Sequence, residues 1–449
     1  MAKVSLVSLG CPKNLVDSEG ALGEIARAGH EIVADSARAD VIVVNTCGFV
    51  ESARSESVEA ILQALECKRS GACRAVLVIG CLSQRFADEL ARELPDVDGF
   101  LGVGHGGKLR DAIEKALSGR RTVDASRPPR EWVEPVERIR STPPWTAYVK
   151  ISDGCDNRCA YCAIPDIRGR YRSRPERLVI DEARRLADEG VKEIVLVGQD
   201  LTQYGADNGT GSRLPDLLVK LNEIDSLRWI RLMYCYPTKV TPALIEAIAS
   251  LERVVKYVDL PLQHGDDRML AAMNRRGSAA DYERLVENLR AACPDVALRS
   301  TFIVGFPGET RKAFENLLGF MSRMRMDRVG AFVYSPEEGT PAEGLPRRVS
   351  RKVACARYDE LMRLQQQISL ERNRSFLGKK LEVLVEGRQA GCVYGRSYRD
   401  APEIDGVVHL GGTEAEPGSF VAAKVTGFSE YDLEAEAEDR GKKPRRRDC

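Results

Sequence analysis

Three cysteines stand close together in the middle of the chain, as Cys155-Asp-Asn-Arg-Cys159-Ala-Tyr-Cys162. They follow the apolar run TAYVKIS (146–152), so the triplet falls on the loop after a predicted strand. Three thiolates on one loop can ligate a cubane iron–sulfur cluster and leave one iron open for another ligand. A zinc site that shares Cys159 and Cys162 is the alternative, but zinc needs a fourth ligand and no Cys or His follows nearby. The spacing therefore favours a cluster.

A second set of cysteines is dispersed over the first part of the chain. Cys11, Cys47 and Cys81 each end or closely follow an apolar run typical of a buried parallel strand: VSLVSLG, DVIVVNT and AVLVIG. Ligands of open α/β sheets gather outside the carboxyl ends of the strands, so a second three-thiolate cluster is one interpretation. Small buried residues that close strands are the other. The residues alone leave both open.

The elements that must position these cysteines alternate along the chain. In residues 1–119, apolar runs alternate with helical patterns, which is typical of a doubly wound α/β domain. Residues 120–140, with prolines among mixed charges, are predicted to be a linker. Between 141 and 376 six strand–helix units follow, too few for a closed eight-stranded barrel. We expect an open (β/α)6 partial barrel whose functional face lies at the carboxyl ends of its strands. The expected strands are 146–152, 193–198, 229–235, 257–262, 298–304 and 328–335.

The last part of the chain differs in its residue pattern and its charge. Residues 377–440 consist of short β-rich runs with frequent glycine and predict a small antiparallel β-barrel. Residues 441–449 form a basic tail that we expect to be disordered. The segment 378–439 holds six basic and thirteen acidic residues, a net charge of −7. Such a module suits a basic partner better than RNA. Without 430–439 the charge is only −1, so a solubilising acidic fringe is the alternative.

Overall composition excludes some classes of protein. Among 449 residues, 67 Lys and Arg balance 67 Asp and Glu, which argues against a global electrostatic grip on nucleic acid or membrane. The first residues lack the apolar core of an export signal, and no apolar run is long enough to span a bilayer. We therefore expect a cytoplasmic protein, in which clustered cysteines hold metal or act in catalysis more often than they form disulfides. Of the thirteen cysteines, the seven outside the two sets have no assigned role.

The triplet, with the aromatic Tyr161 before its last cysteine and a six-stranded partial barrel around it, resembles the radical S-adenosylmethionine superfamily. Together with the α/β domain that carries three strand-end cysteines and a small barrel of TRAM type, the whole chain resembles the methylthiotransferase family. Several segments resemble the branch that modifies a ribosomal protein, rather than the branch that acts on tRNA. They are LGCPKNLVDSE (9–19), NTCGFVESARSES (45–57), AIPDIRGRYRSRP (163–175), YVDLPLQHGDDRMLAAMNR (257–275), TFIVGFPGET (301–310) and FVYSPEEGTPA (332–342).

This resemblance implies an enzyme that methylthiolates the β-carbon of an aspartate in protein twelve of the small ribosomal subunit. It implies two [4Fe-4S] clusters, a radical-generating one on Cys155, Cys159 and Cys162 and a sulfur-carrying auxiliary one on the dispersed set. One S-adenosylmethionine would donate a methyl group, and a second would be the source of a 5′-deoxyadenosyl radical. The resemblance also implies an external electron donor and sulfur source, with any RNA contact secondary. The implied cofactor contacts are Tyr161, Gly198, Gln199, Gly305, Phe306 and Val333.

Several further candidate binding residues also have a structural interpretation. Five arginines follow the triplet and could bind a carboxylate, although such a run is usually solvated surface: Arg168, Arg170, Arg172, Arg174 and Arg177. His264 ends the fourth barrel strand and is either packed or in contact with substrate. Residues 306–310 are either cofactor contacts or a simple turn with Thr310 as helix cap. For the function, the alternatives are a tRNA adenosine methylthiotransferase and a non-catalytic iron–sulfur factor that binds RNA or assists assembly.

Overall fold

The computed structural model describes residues 1–71, 73–104, 107–134, 138–207, 209 and 213–438. Three main sheets organise these residues, two open and parallel and the third a closed barrel. The doubly wound domain, the open partial barrel and the small C-terminal barrel are thus confirmed. The predicted basic tail lies outside the described ranges. No helix within them is both long and apolar enough to cross a membrane.

The first sheet has six parallel strands in the order β2-β1-β3-β4-β5-β6. Its elements are β1 (Lys3–Ser8), α1 (Pro12–Arg27), β2 (Glu31–Ile32), β3 (Val41–Thr46), α2 (Glu51–Arg69), β4 (Ala75–Gly80), α3 (Cys81–Glu93), β5 (Gly99–Leu101), α4 (Lys108–Leu117) and β6 (Thr122–Asp124), with a 3-10 turn at Ser36–Arg38. Alternate residues of β3 enter different cores: Val43 packs with α1 and α4, and Val44 packs with α2 and α3. Strand β6 lies in the segment expected to be a linker and extends this sheet.

The second sheet has six parallel strands in the order β14-β13-β12-β11-β10-β7 and does not close. Its strands, with a small hairpin of β8 and β9, are β7 (Thr146–Lys150), β8 (Ser152–Asp153), β9 (Arg172–Ser173), β10 (Glu193–Val197), β11 (Trp229–Leu232), β12 (Val254–Gln263), β13 (Ala297–Val304) and β14 (Arg328–Val333). Its helices are α5 (Ile164–Arg168), α6 (Glu176–Asp188), α7 (Leu214–Asn222), α8 (Pro242–Ser250), α9 (Asp267–Ala272), α10 (Ala279–Ala292), α11 (Arg311–Met324) and α12 (Arg351–Arg374), with 3-10 turns at Leu201–Gln203 and Pro237–Lys239.

The two faces of the second sheet bury different partners. On β10, Ile194 and Leu196 point to the surrounding helices, while Val195 points to the concave side. The concave apolar cluster also contains Val16 of α1 and Leu384 of the C-terminal barrel. The open barrel is therefore covered by both other regions of the chain, which fixes their positions against its strands.

The C-terminal barrel closes in the order β15-β16-β17-β19-β18. Its strands are β15 (Lys380–Gln389), β16 (Cys392–Ser397), β17 (Val408–Gly411), β18 (Phe420–Phe428) and β19 (Leu433–Ala437). The prediction of a wholly antiparallel barrel is wrong at one pairing, because β17 and β19 run parallel. A ring with an odd number of strands cannot alternate direction throughout. The acidic run is a barrel strand, not a fringe: Leu433 and Ala435 point inward, and Glu434 and Glu436 point outward.

Candidate active site

The dispersed cysteines meet at one edge of the first sheet. They follow β1, β3 and β4, which are adjacent and in parallel register. Two glycines let their backbones approach closely. A Cβ on Gly10 would lie 2.9 Å from the Cβ of Cys47, and a Cβ on Gly48 would lie 2.8 Å from the carbonyl carbon of Cys81. Cys11 is the N-cap residue of α1 and Cys81 is the first residue of α3. The sheet register thus brings together residues that are remote in sequence.

The thiols of this set differ in their electrostatics. Burial opposes ionisation of Cys11, but the charges of Lys13 and Arg168 outweigh it and lower the pKa of this thiol. Burial raises the pKa of Cys47 to about 11 and also raises the pKa of Cys81. Each of the three thiols interacts electrostatically with at least one of the others. One member is therefore more readily ionised than its partners.

The Cys155–Cys162 loop is anchored to later strands of the open barrel. The side chain of Asn157 donates to Asp200 after β10 (2.8 Å) and accepts from Lys239 after β11 (2.6 Å). The Ala160 N–H donates to the carbonyl of Met273 (2.9 Å) after α9. These contacts hold the loop at the carboxyl edge of the sheet, which is the predicted functional face.

Arg275, which follows α9, places a cation against the triplet loop. Its Nη1 lies 3.7 Å from Sγ of Cys159, and its guanidinium stacks 4.1 Å from the ring centre of Tyr236. Burial raises the pKa of Cys155 to about 11 and raises that of Cys162 further. A buried guanidinium therefore lies against one sulfur of the triplet.

Arg168 connects the two cysteine sets. It ends α5, the helix that follows the triplet, and its side chain is only 2 % exposed. Its Nη2 lies 3.4 Å from Sγ of Cys81 and 2.8 Å from Oδ2 of Asp17, and its Nη1 donates to Asp153 (3.2 Å). Asp17 belongs to the first region and Asp153 to the open barrel. One guanidinium therefore joins both regions directly beside a sulfur.

Of the other arginines after the triplet, two are buried as well. Arg172 pairs with Asp153, and Arg174 pairs with Glu134 and Glu182. The usual interpretation as solvated surface is thus wrong for these and for Arg168, because acidic side chains accompany them into the interior. It is right for Arg170 and Arg177, whose side chains are 78 % and 87 % exposed.

His264 is packed rather than presented to a substrate. The ring is fully buried, its Nδ1 accepts from the N–H of Asp266 (3.0 Å), and its Nε2 lies 3.2 Å from Glu309. Both ring nitrogens are therefore occupied. Thr310 caps α11 by accepting from the N–H of Ala313, so the turn interpretation of this segment is also satisfied.

The residues expected to contact S-adenosylmethionine fall into two groups. Tyr161 and Phe306 share an apolar cluster with Tyr334, whose ring centre lies 5.0 Å from that of Phe306. Gln199 follows β10, and both polar atoms of its amide are buried without a partner among the described residues. Gly198 lies beside Ser152, with too little space between them for a Cβ. A buried amide without a partner suits a polar ligand.

Gly305 and Val333 are placed differently. The N–H of Gly305 donates to Glu309 (2.6 Å), and a Cβ there would lie 2.5 Å from the Cβ of Ala354 on α12. Val333 packs against the main core of the open barrel, while its neighbour Tyr334 joins the cluster with Tyr161. Gly305 directly precedes Phe306, and Val333 pairs in register with Val304 at the end of β13. Both residues therefore lie at the carboxyl ends of β13 and β14, next to the cluster of Tyr161 and Phe306.

Several residues of this region were not assigned a role from sequence. They are Lys13, Asn157, Lys239 and Arg275. Lys239 and Arg275 reach the triplet only through the tertiary fold. Lys13 and Asn157 adjoin cysteines in the sequence, but their contacts with Tyr234 and Asp200 form only through the tertiary fold. Over the described ranges, no three Cys, His, Asp or Glu side chains are arranged to hold a single metal ion. The fit of the cysteines to iron–sulfur clusters rests on donor type and convergence.

Three segments of the chain match known families. Residues 3–102 match the Uncharacterized protein family UPF0004, residues 149–321 match the Radical SAM superfamily, and residues 377–437 match the TRAM domain. Among solved structures, the radical S-adenosylmethionine methyltransferase TsrM from Kitasatospora setae has a similar fold, with a TM-score of 0.57. It shares 15 % identity, over 76 % of this chain and 74 % of that chain.

Curated relatives match nearly the whole chain. The ribosomal protein uS12 methylthiotransferase RimO of Heliobacterium modesticaldum is 48 % identical over 97 % of this chain and 95 % of its own length. The protein of the same name from Desulforudis audaxviator is 47 % identical, over 97 % of this chain and 96 % of its length. Full-length similarity at this level covers both cysteine sets and the C-terminal barrel.

Proposed function

Because the chain belongs to the family of ribosomal protein uS12 methylthiotransferases, we propose that it methylthiolates the β-carbon of an aspartate in uS12. It is a radical S-adenosylmethionine enzyme, which works with an iron–sulfur cofactor and S-adenosylmethionine. The observation that carries the proposal is the position of Arg168. This residue ends α5, the helix that follows the Cys155–Cys162 loop, and its guanidinium lies against the sulfur of Cys81. Two thiol sets so joined suit a reaction that needs both a radical and a sulfur donor.

The donor chemistry fits two clusters. Among the described residues, each set offers three thiols and no fourth thiol acts on them, which suits a [4Fe-4S] cluster with one open iron. We assign a radical-generating cluster to Cys155, Cys159 and Cys162, and an auxiliary cluster to the set that includes Cys47. When bound, these groups and two S-adenosylmethionine molecules per turnover supply a 5′-deoxyadenosyl radical and a methylthio group. An external electron donor and sulfur source would serve them.

The side chains around the sets keep the two halves of the reaction in place. The β-carbon of an aspartate carries no proton acidic enough for a general base, so hydrogen abstraction by a radical suits this position. The radical must arise close to the sulfur donor, because the carbon centre that it creates has to be trapped at once. Asn157 fixes the triplet loop against the barrel, and Arg168 fixes the first region against that loop. These contacts set the distance between the two sites.

The protein also offers an environment for S-adenosylmethionine. The apolar cluster of Tyr161, Phe306 and Tyr334 would exclude water beside an adenine. The unpartnered amide of Gln199 would pair with a polar group of the same ligand. Both lie at the carboxyl edge of the open barrel.

The C-terminal barrel supports a protein substrate over tRNA. Outward-facing acids on β19 belong to the folded barrel, and Glu414 and Glu416 are also largely exposed. An acidic surface repels the phosphate backbone and attracts a basic ribosomal protein. The TRAM match still favours some contact with RNA, which would be secondary on the ribosome. The reaction would take place in the cytoplasm, where ribosomes work.

Deletion of the gene followed by mass spectrometry of uS12 and of bulk tRNA tests this function. We expect the aspartate of uS12 to lose its methylthio group and the tRNA adenosines to stay modified. Loss of a tRNA modification with intact methylthio-aspartate would assign the enzyme to the tRNA reaction instead. Anaerobic reconstitution tests the non-catalytic alternative: about eight irons per chain with release of 5′-deoxyadenosine is expected of the enzyme. Iron binding without cleavage of S-adenosylmethionine would contradict catalysis.

A further inference from the structure

A lysine occupies the space between the dispersed cysteines and the open barrel. Lys13 lies in the first turn of α1, directly after the Cys11-Pro12 pair. Its ammonium reaches across to Tyr234, 3.4 Å from the centre of the phenol ring. Tyr234 follows β11 at the carboxyl edge of the barrel. The charge therefore stands at the face where the two regions meet.

Lys13 differs from the two other lysines near the cysteines because it pairs with no acidic side chain of the described residues. Lys150 pairs with Asp17 and Asp153, and Lys239 pairs with Asp200. Lys13, in contrast, is in none of the ion pairs found among the described residues and is only half-buried. The groups that act most strongly on its charge are the phenol of Tyr234 and the thiol of Cys11. No carboxylate in the described part of the chain neutralises this ammonium, which leaves it able to bind one.

The position of Lys13 on its helix is unfavourable. The first turn of α1 contains no acidic residue, and a cation near a helix N-terminus opposes the helix dipole. Helix stability therefore gives no reason for a lysine at this position. A bound anion would offset this penalty.

The aromatic partner of Lys13 is held rigidly. The backbone of Tyr234 has φ +65°, a left-handed conformation that residues other than glycine rarely adopt. Its N–H donates to Asp259 (3.0 Å), and its carbonyl accepts from the N–H of Leu201 (3.1 Å). Backbone strain of this kind persists only where surrounding contacts impose it, and it clusters at functional sites. The ring fixes the ammonium by a cation–π contact, and the Tyr234 hydroxyl takes one of its three N–H groups. The remaining N–H groups can donate to a ligand.

We propose that the ammonium of Lys13 binds the side-chain carboxylate of the aspartate that the enzyme modifies. This inference rests on the proposed function. The carboxylate carbon is bonded directly to the β-carbon, so a fixed ammonium on its oxygen fixes the reacting carbon as well. The contact would lie beside the auxiliary set and on the active face of the barrel. It would also select a charged side chain, because asparagine offers only a neutral amide.

A binding experiment with four pairings tests this contact without turnover. Reconstituted wild-type enzyme and a Lys13→Met variant are each titrated with uS12 and with uS12 whose acceptor aspartate is asparagine. We expect the wild type to bind the aspartate form about 10- to 100-fold more tightly, the range for a charge-assisted contact. Lys13→Met should bind both forms with the same, weaker affinity. Lys13→Arg keeps the charge and should keep most of the preference.

A surface variant provides the matched control. Lys115 on α4 is exposed, so Lys115→Met removes the same charge away from the site and should bind like the wild type. A preference for aspartate that survives in Lys13→Met would overturn the proposal. So would weaker binding of S-adenosylmethionine by Lys13→Met at unchanged preference, which would assign the lysine to the carboxylate of the cofactor. Loss of iron or an altered electron paramagnetic resonance spectrum would assign it to the auxiliary cluster instead.

The same material separates this inference from the proposed function. Wild-type enzyme that holds its iron and cleaves S-adenosylmethionine but leaves uS12 unmodified would contradict the function. Wild-type enzyme that modifies uS12, beside a Lys13→Met variant that still distinguishes aspartate from asparagine, would contradict only the role of Lys13.

Discussion

The two cysteine sets are held in different ways, although each has one buried arginine against a sulfur. Cys155, Cys159 and Cys162 lie on a single loop, and contacts from later barrel strands fix that loop as a unit. The dispersed set has no loop of its own, and its geometry depends on the register of three strands. The first set is therefore a local structure placed on a scaffold, whereas the second is a property of the scaffold itself.

The two halves of the proposed reaction therefore depend on different parts of the fold. A change near the triplet should affect radical formation and leave the first sheet intact. A change at the strand ends should affect sulfur transfer and leave radical formation intact. Arg168 is the exception, because it touches Cys81 and pairs with acidic residues of both regions.

Removing one thiol of the triplet should have the largest effect. We expect Cys159→Ala to abolish release of 5′-deoxyadenosine, because three thiolates are needed to hold a cluster with one open iron. Iron should fall from about eight to about four per chain, since the other set is intact. Anaerobic iron assay and chromatography of the nucleoside products measure both. Cys355→Ala, at an exposed cysteine outside both sets, is the control and should behave as wild type.

Removing one thiol of the dispersed set should separate the two halves. Cys47→Ala is expected to retain release of 5′-deoxyadenosine but to give no methylthio-aspartate in uS12. Iron should again fall to about four per chain. Mass spectrometry of uS12 beside the nucleoside assay distinguishes the halves. If Cys47→Ala still inserted sulfur, the assignment of an auxiliary cluster to this set would be wrong.

The same contrast explains what could be predicted from the sequence. The six strands of the open barrel follow from apolar runs, and Cys155, Cys159 and Cys162 from local spacing, because both patterns act over a few residues. The dispersed cysteines were visible only as strand ends, and their assignment required a resemblance. That all six cysteines ligate clusters stays a prediction.

Contacts that form only when the regions of the chain pack together could not be predicted from the sequence. Nothing in the spacing of Arg168 places it against Cys81, because that contact forms only when the two regions pack together. The unpaired charge of Lys13 depends on which carboxylates reach it in space. The parallel pairing of β17 with β19 follows from closing a ring of five strands, which local alternation does not reveal. In each case the missing information was tertiary.

The two arginines offer a subtler comparison. Hydrogen bonds to cluster sulfurs raise the reduction potential, because they stabilise the more negative reduced state. Arg275→Gln should therefore lower the potential of the triplet cluster alone, and Arg168→Gln that of the auxiliary cluster alone. A hydrogen bond worth about 1.4 kcal/mol corresponds to about 60 mV in a one-electron couple. Potentiometric titration followed by electron paramagnetic resonance measures each.

Arg168→Gln leaves the surrounding acids with partners, since Asp17 keeps Lys150, and Asp153 keeps Lys150 and Arg172. We therefore expect it to fold and to load iron. Equal shifts of both clusters in either variant would show that the two sites do not respond separately. That result would contradict the assignment of one arginine to each cluster.

The smallest expected effect tests whether strand register alone positions the dispersed set. In Gly48→Ala the new Cβ would lie 2.8 Å from the carbonyl carbon and oxygen of Cys81 and from the Cα of Leu82. These are backbone atoms, so the strand ends must move apart, and the free energy of unfolding should fall by about 1–3 kcal/mol. The auxiliary cluster should load incompletely while the triplet loads fully. Gly344→Ala, where a Cβ would meet no atom within 4 Å, is the control. Full loading of both clusters in Gly48→Ala would mean that the dispersed set tolerates displacement as a flexible loop does, and the contrast between the two sets would fail.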